Sequence, residues 1–228
     1  MRDVSIIAGN FTICSLGFFA LLCEIAEIPQ YYGASVIISF AICFIMPIIT
    51  SRIPPLSWIP NEYVDGTPWT KDEKKNDGRS LIKRAWDEAI ETADQGTFKM
   101  VLDGILEACI FAVKTSAYVT SVATVALILG TYTPLFDWLG VPFIPILNLF
   151  GIPNAEIVAP ACIVGISEIA MPVMVIANQG VSEAAAFFVV VLSTVQVIFF
   201  TESANAIIES DIPLGFVQCI IIFIERTI

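Results

Sequence analysis

Residues 151–180, GIPNAEIVAPACIVGISEIAMPVMVIANQG, decide the class of this protein. The run is apolar and long enough to cross a bilayer, which takes about 20 residues of helix. Yet Glu168 stands in its middle, and Pro160 and Pro172 interrupt it. An ionisable group at mid-membrane costs about 3 kcal/mol or more, so it survives facing a bundle interior or a wet cavity. Two readings follow. Glu168 is a functional group on a solute or ion path, which is the default for such residues. Or it is protonated and hydrogen-bonded to a neighbouring helix as structural glue.

The rest of the chain has the same character. Of 228 residues, 57% are hydrophobic, more than a soluble domain of this size needs. Mean hydropathy is +0.82. The expected class is therefore all-α, a polytopic transmembrane helical bundle. A membrane barrel would show short alternating segments instead. The net charge of −11 argues against nucleic acid, since phosphate binding needs clustered Lys and Arg. There is no histidine, which excludes Ser-His-Asp and Cys-His catalysis and HExxH metal sites within this chain. Cys14, Cys23, Cys43, Cys109, Cys162 and Cys219 include no CxxC pair and lie in or beside apolar runs. They read as small hydrophobes rather than a disulfide or metal framework. No cofactor and no metal site is expected, and no enzyme motif is present.

In chain order, Val4 to Cys23 reads as a first span, too long for a signal-peptide core, and Tyr31 to Thr50 as a second. Together, residues 1–50 form two N-terminal transmembrane helices. Pro47 is expected to kink the second or to begin its exit. Residues 51–96 form a charged loop with Pro54, Pro55 and Pro60 and the run Lys71 to Asp77. Inside it, residues 80–95 carry a helical stripe: Leu81, Ile82, Ala85, Trp86, Ala89, Ile90 and Ala93. That is an amphipathic helix lying on the membrane or the bundle, with Trp86 as anchor. Arg52, Lys71, Lys74, Lys75, Arg79, Lys83 and Arg84, with Lys99 at the far edge, are most of the chain's basic residues. By the positive-inside rule this loop is cytoplasmic, and the Glu24–Gln30 turn is external.

Residues 97–228 follow as a third region. From Thr97 to Gly130, Lys99, Asp103, Glu107, Lys114 and Ser121 fall on one arc of a helix. Either the first turns lie in the interface, where Lys snorkels, or the arc faces inward and Glu107 and Lys114 border a polar cavity as coupling or pairing groups. Thr131 to Pro153 holds Pro134, Pro142, Pro145 and Pro153, too many breakers for a regular span. Two short half-helices or a re-entrant segment fit it, as does an external capping loop. Glu156 to Asn178 and Glu183 to Ile208 read as the next two spans. The second half of the latter carries Ser193, Thr194, Gln196, Thr201, Glu202, Ser203 and Asn205 on more than one face. That half is either central in the bundle or lines a hydrated path, and Gln196 and Glu202 have no cheap lipid-facing explanation. Leu214 to Ile224 begins a further span too short to cross unaided.

Four phrases occur in order: TYTPLFDWLGVPFIPIL, NAEIVAPACIVGISEIAMPVM, VLSTVQVIFFTES and SDIPLGFVQCIIIFIERT. Through them, Ala126 to Thr227 resembles the YjiH-like family of bacterial membrane proteins. These carry the nucleoside-recognition Gate domain, also attributed to concentrative nucleoside permeases, the ferrous iron transporter FeoB and spore maturation proteins A and B. The resemblance implies that Glu168 and Pro172 hold places usually taken by an Asp and a Pro, beside Ser167. It places Gln196 and Glu202 at the Gln and Glu of the family's next phrase. It also implies a bacterial plasma (inner) membrane location. Family members extend further at both ends, so this chain is expected to be a shortened member or a piece of one.

The leading expectation is a transporter or transporter subunit for a small polar solute, nucleoside-like by the resemblance. Ser167, Glu168, Pro172, Gln196 and Glu202 would form its substrate site, and a cation or proton could be the coupled species. The alternative is a non-transporting membrane assembly subunit resembling the spore maturation proteins, with its polar residues joining helices or partners in a homo- or hetero-oligomer.

Overall fold

A computed structural model describes residues 2–10, 15–63, 66–67, 80–94, 96–210 and 212–228. The charged run Lys71–Asp77, Cys14 and Asp211 lie outside the described residues. Every regular element among the described residues is helical, so the protein is all-α. The helices are α1 (Arg2–Ala8), α2 (Leu16–Ile25), α3 (Tyr32–Thr50), α4 (Leu81–Asp94), α5 (Phe98–Tyr132) and α6 (Leu135–Gly140). They continue with α7 (Ile144–Leu149), α8 (Ala155–Val164), α9 (Met171–Ile176), α10 (Glu183–Val195), α11 (Ser203–Glu209) and α12 (Phe216–Thr227). Among the described residues, two stretches are long and apolar enough to cross a membrane: Pro29–Thr50, which is α3 with the turn before it, and Phe98–Val125 within α5.

Three expected spans are built differently. Val4–Cys23 is not one helix: α1 ends at Gly9-Asn10, and α2 starts afresh behind Ser15, whose hydroxyl accepts from the Phe18 N–H. A Ser N-cap of this kind replaces an intrahelical partner and so fixes a new helix start. The second correction concerns Glu156–Asn178, which is not one helix but turns back on itself. The Asn154 side chain, just before α8, accepts from the Ser182 N–H at 3.0 Å, just after the α9 turn. Both ends of the segment thus sit together, and α8 and α9 pack side by side as a helical hairpin. Asn154 and Asn178 take left-handed backbone at the two ends (φ 57° and 60°), a conformation Asn tolerates well. The third correction is to Glu183–Ile208. It is helical only to Val195, breaks over residues 196–202, and resumes as α11.

Other expectations fare otherwise. Pro47 lies inside α3, which continues through it to Thr50. The proline-rich segment is α6 and α7 joined by a 3₁₀ turn, Val141–Phe143. It runs along α8 in the opposite direction, with Phe136 against Val164 and Leu147 in the core beside Ala155. Gly140 makes that approach close. A Cβ there would stand 2.7 Å from the Ala159 and Pro160 backbone. Helix α4 matches the amphipathic stripe at residues 80–95, and its Ile82, Trp86 and Ile90 are exposed.

The core is centred on α8 and α10. Helix α8 is buried on almost every side, as expected of a helix apolar all round. Its small Ala155, Ala159 and Ala161 are buried, and at Ala159 the backbone of α6 comes close through Gly140. Helix α3 runs parallel to α10. Tyr31 meets Glu183 at one end (2.9 Å), and Ser39 meets Thr194 further along (2.8 Å). A second cluster joins Leu56, Ile198, Ala204, Cys219 and Phe223, docking α11 and α12 against the turn after α3.

A candidate site where two interrupted helices meet

The hairpin tip, residues 165–170, lies against the break in α10–α11. The Phe200 N–H donates to the Ile166 carbonyl at 2.8 Å, tying one interruption to the other. Each interruption has a local cause. At the tip, Gly165 ends α8, and the Ser167 hydroxyl donates to the Val164 carbonyl at 2.6 Å. Pro172 then sits in the first turn of α9, where its missing N–H costs nothing. Along the other strand of chain, Val197 has φ 64°. For a β-branched residue that is a true outlier, and such strain costs about 1–3 kcal/mol. Ser203 holds the strained turn closed: its hydroxyl accepts from the Phe199 N–H at 2.8 Å and donates to the Val197 carbonyl.

The structure places the expected site residues as follows. Glu168 is at the hairpin tip, half-buried. Its Oε2 accepts from the Ala170 N–H at 2.8 Å, with the Ile169 and Met171 N–H groups also bearing on the carboxylate. It therefore closes a local turn at the entry to α9, whose N-cap is Ala170. Glu202 stands at the start of α11, exposed, with no side-chain cap bond, and is near enough for its charge to act on Glu168. Gln196 is fully buried at the end of α10. Its Nε2 donates to the Cys162 carbonyl (2.8 Å) and to Thr227 Oγ1 (2.9 Å). Ser167 is buried, and its hydroxyl is engaged in ending α8. Pro172 lies over Gly165: a Cβ on that glycine would come 3.0 Å from the proline ring. The tip and the break thus bring Ser167, Glu168, Pro172, Gln196 and Glu202 into one neighbourhood.

Glu107 and Lys114 are not part of it. Both are exposed on α5, and of the charged arc only Ser121 reaches the cleft beside the tip. Glu107 and Lys114 instead border a separate open cleft of about 500 Å³ along α5, with Gly104, Ala108, Ile110 and Phe111. Among the described residues, none of the apolar window of Phe98–Val125 is buried.

A set of residues that the sequence reading passed over supports the break. Arg226 is 4% exposed although charged. Its Nε donates to the Val195 carbonyl at 2.6 Å, and its Nη1 to Asn10 Oδ1 at 2.6 Å. Asn10 also accepts from Thr50 at 2.9 Å. A cation on the last carbonyl of α10 matches the negative end of that helix. The signal was available: Arg226 follows a run of Ile and Phe, and Asn10 follows Gly9 in an apolar stretch.

Two cavities flank this junction. One of about 410 Å³ is lined by Ser121, Val125, Phe136, Ile166, Ser167 and Phe200, among others. The other, about 400 Å³, is lined by Phe143, Leu147, Phe150, Cys162, Phe188 and Thr227, among others. Among the described residues no group of three or more Cys, Asp or Glu could hold a metal ion.

No protein-family model matches the chain, and no solved structure does. The chain is similar to an uncharacterized protein of Alkalihalophilus pseudofirmus, 29% identical over 233 residues. The match takes in all of this chain and 49% of that protein. The chain therefore spans about half the length of the curated relative it matches.

Proposed function

We propose that this chain is a multi-pass helical membrane protein that forms a solute transporter, or one subunit of it, of the Gate-domain type that its sequence resembles. The observation that carries the reading is the meeting of the hairpin tip with the break in α10–α11. Interrupted helices are a recurrent way to free backbone groups and polar side chains for a solute at membrane depth, and irregular backbone there is tolerated only against protein or water. In this reading Glu168 and Glu202 supply negative charge to a small polar solute or a coupled cation, and Gln196 supplies an amide. Ser167 and Pro172 shape the tip. The basic loop of residues 51–96 lies in the cytoplasm, the membrane is the bacterial plasma membrane, and the hairpin enters from the outer side with Tyr31 and Glu183. Nucleosides are the first solutes to try. The test is uptake into proteoliposomes by wild type, Glu168→Gln and Glu202→Gln. Uptake lost in both is the expected result. Unchanged uptake in both eliminates the site.

A second reading, a non-transporting assembly subunit, is favoured by one observation: the candidate span in α5 buries nothing within this chain. A span with Glu107 and Lys114 on its surface calls for a partner in the membrane. In that case Glu107→Gln and Lys114→Met change the size of the complex extracted in mild detergent, and Glu168→Gln leaves it as it was.

A further inference from the structure

Helix α4 takes no part in the candidate site. Its 14 residues, Leu81–Asp94, put Ile82, Trp86 and Ile90 about one turn apart, and Ala85, Ala89 and Ala93 follow the same period. All six are exposed, Ile82 at 83% and Trp86 at 68%. Of the two covers open to this stripe, bundle or membrane, the bundle is not the one in use. A helix this short is marginal by itself in water, so its apolar face needs a cover to hold it.

What covers it follows from where the helix is tied. Asp94 ends α4 and Phe98 begins α5, so at most about 14 Å of extended chain separates the two. The apolar window of α5 begins at Phe98 itself, and Phe98 and Met100 are exposed. A helix on so short a lead is held beside the end of that span, where the bilayer surface lies. The side chains fit that surface. Trp sits well at headgroup level, with its ring in apolar surroundings and its N–H toward water. Lys83 stands next to the stripe in sequence, and Lys99 is in the first turn of α5; both are exposed. Lys is depleted from protein–protein interfaces but snorkels readily at a lipid surface.

We infer that α4 binds the bilayer surface on the side where α5 begins, with Ile82, Trp86 and Ile90 in the headgroup–acyl boundary. The partner is a lipid surface, and the attraction is apolar rather than electrostatic. By sequence, α4 sets Lys83 and Arg84 against Asp87, Glu88, Glu91 and Asp94, so it has no net positive charge to offer anionic headgroups. Seating α4 there also fixes the depth of α5. Glu107, nine residues past Phe98, then stands about 13 Å into the span, near the middle of a hydrocarbon core of about 30 Å. The inference rests on the reading of α5 as a membrane span, and its test reads that span separately.

The test is tryptophan fluorescence of the whole chain in phosphatidylcholine proteoliposomes, with the lipid brominated either near the headgroup or near the chain end. In one variant Trp58→Phe, Trp69→Phe and Trp138→Phe leave Trp86 as the reporter. A second adds Trp86→Phe and carries Phe111→Trp in α5. The expected result is blue-shifted emission from Trp86, quenched about two-fold more by the shallow label than by the deep one, as for a helix seated about 5–10 Å into the boundary. Phe111→Trp is quenched most by the deep label. Ile82→Asn with Ile90→Asn moves Trp86 emission to the red and removes its quenching. The melting temperature in detergent stays where it was, because these exposed side chains lie outside the core. Mixing in phosphatidylglycerol, or adding salt, leaves the quenching unchanged. Red emission from Trp86 leaves the stripe in water, and blue emission that neither label quenches puts it under protein; either overturns the inference, as does stronger quenching by the deep label. If Phe111→Trp is quenched and Trp86 is not, the surface helix falls and the span stands. If neither is quenched, both fall.

Discussion

Helix α5 and the α8–α9 hairpin are built from the same kind of sequence and meet opposite fates. Both are apolar, both carry an ionisable residue, and neither is regular in its surroundings. Yet α8 is buried on almost every side, while the candidate span in α5 buries nothing. Glu168 accepts from the Ala170 N–H just before α9; Glu107 stands exposed. The difference teaches that a charge in an apolar run does not report its own depth. Around the hairpin, Gly140 lets backbones touch and Gly165 admits the side chains of Gln196 and Pro172, whereas a Cβ added at Gly104 on α5 would meet nothing.

That contrast can be broken by mutation, read as thermal stability of the purified protein in mild detergent. The largest effect is expected for Gly140→Val. Its new side chain would collide with Ala159 and Pro160 backbone rather than with a movable side chain, so a loss of about 3 kcal/mol is expected, the upper end of overpacking costs. Next comes Arg226→Met, which strips a donor from the Val195 carbonyl and one from Asn10, with an expected loss of about 2 kcal/mol. A melting temperature unmoved by Arg226→Met would mean that the break in α10 stands without this support.

Smaller effects sharpen the same comparison. Ser203→Ala leaves the Phe199 N–H without its acceptor beside the strained Val197, for about 1 kcal/mol. On α5 the sign reverses: Gly104→Ala should stabilise by about 0.5–1 kcal/mol, since open space surrounds it and glycine is a poor helix residue. Glu107→Gln is expected to stay within about 0.5 kcal/mol, as exposed substitutions do. A loss at Glu107 comparable to that at Arg226 would show that α5 is covered after all, and would favour the assembly reading.

Much of this architecture was legible in the residues. The all-helical class, the second apolar helix, the amphipathic stripe at residues 80–95 and the broken proline-rich segment follow from periodicity and from breakers. So did the withdrawal of Ser193, Thr194 and Gln196 from lipid, because the polar residues after Leu192 lie on too many faces; Glu202 in the same half is exposed. The hairpin was not legible. Its 28 residues from Asn154 to Val181 have the length and hydropathy of a crossing helix, and nothing local says that Asn154 and Ser182 will share a hydrogen bond. Nor was the break after Val195, where no proline or glycine marks the chain. There Val197 is forced into a left-handed backbone by what surrounds it: Ser203 on one side, the hairpin tip on the other, and Arg226 on the last carbonyl of α10.

Composition alone determined that this chain would be helical and apolar, because period and hydropathy are properties of neighbours in sequence. Which amide and which arginine are buried was decided by contacts between residues tens to hundreds of positions apart. Arg226 and Asn10 are the extreme case. Their bond spans 216 positions of sequence, and the packing of α12 against α3 accompanies it.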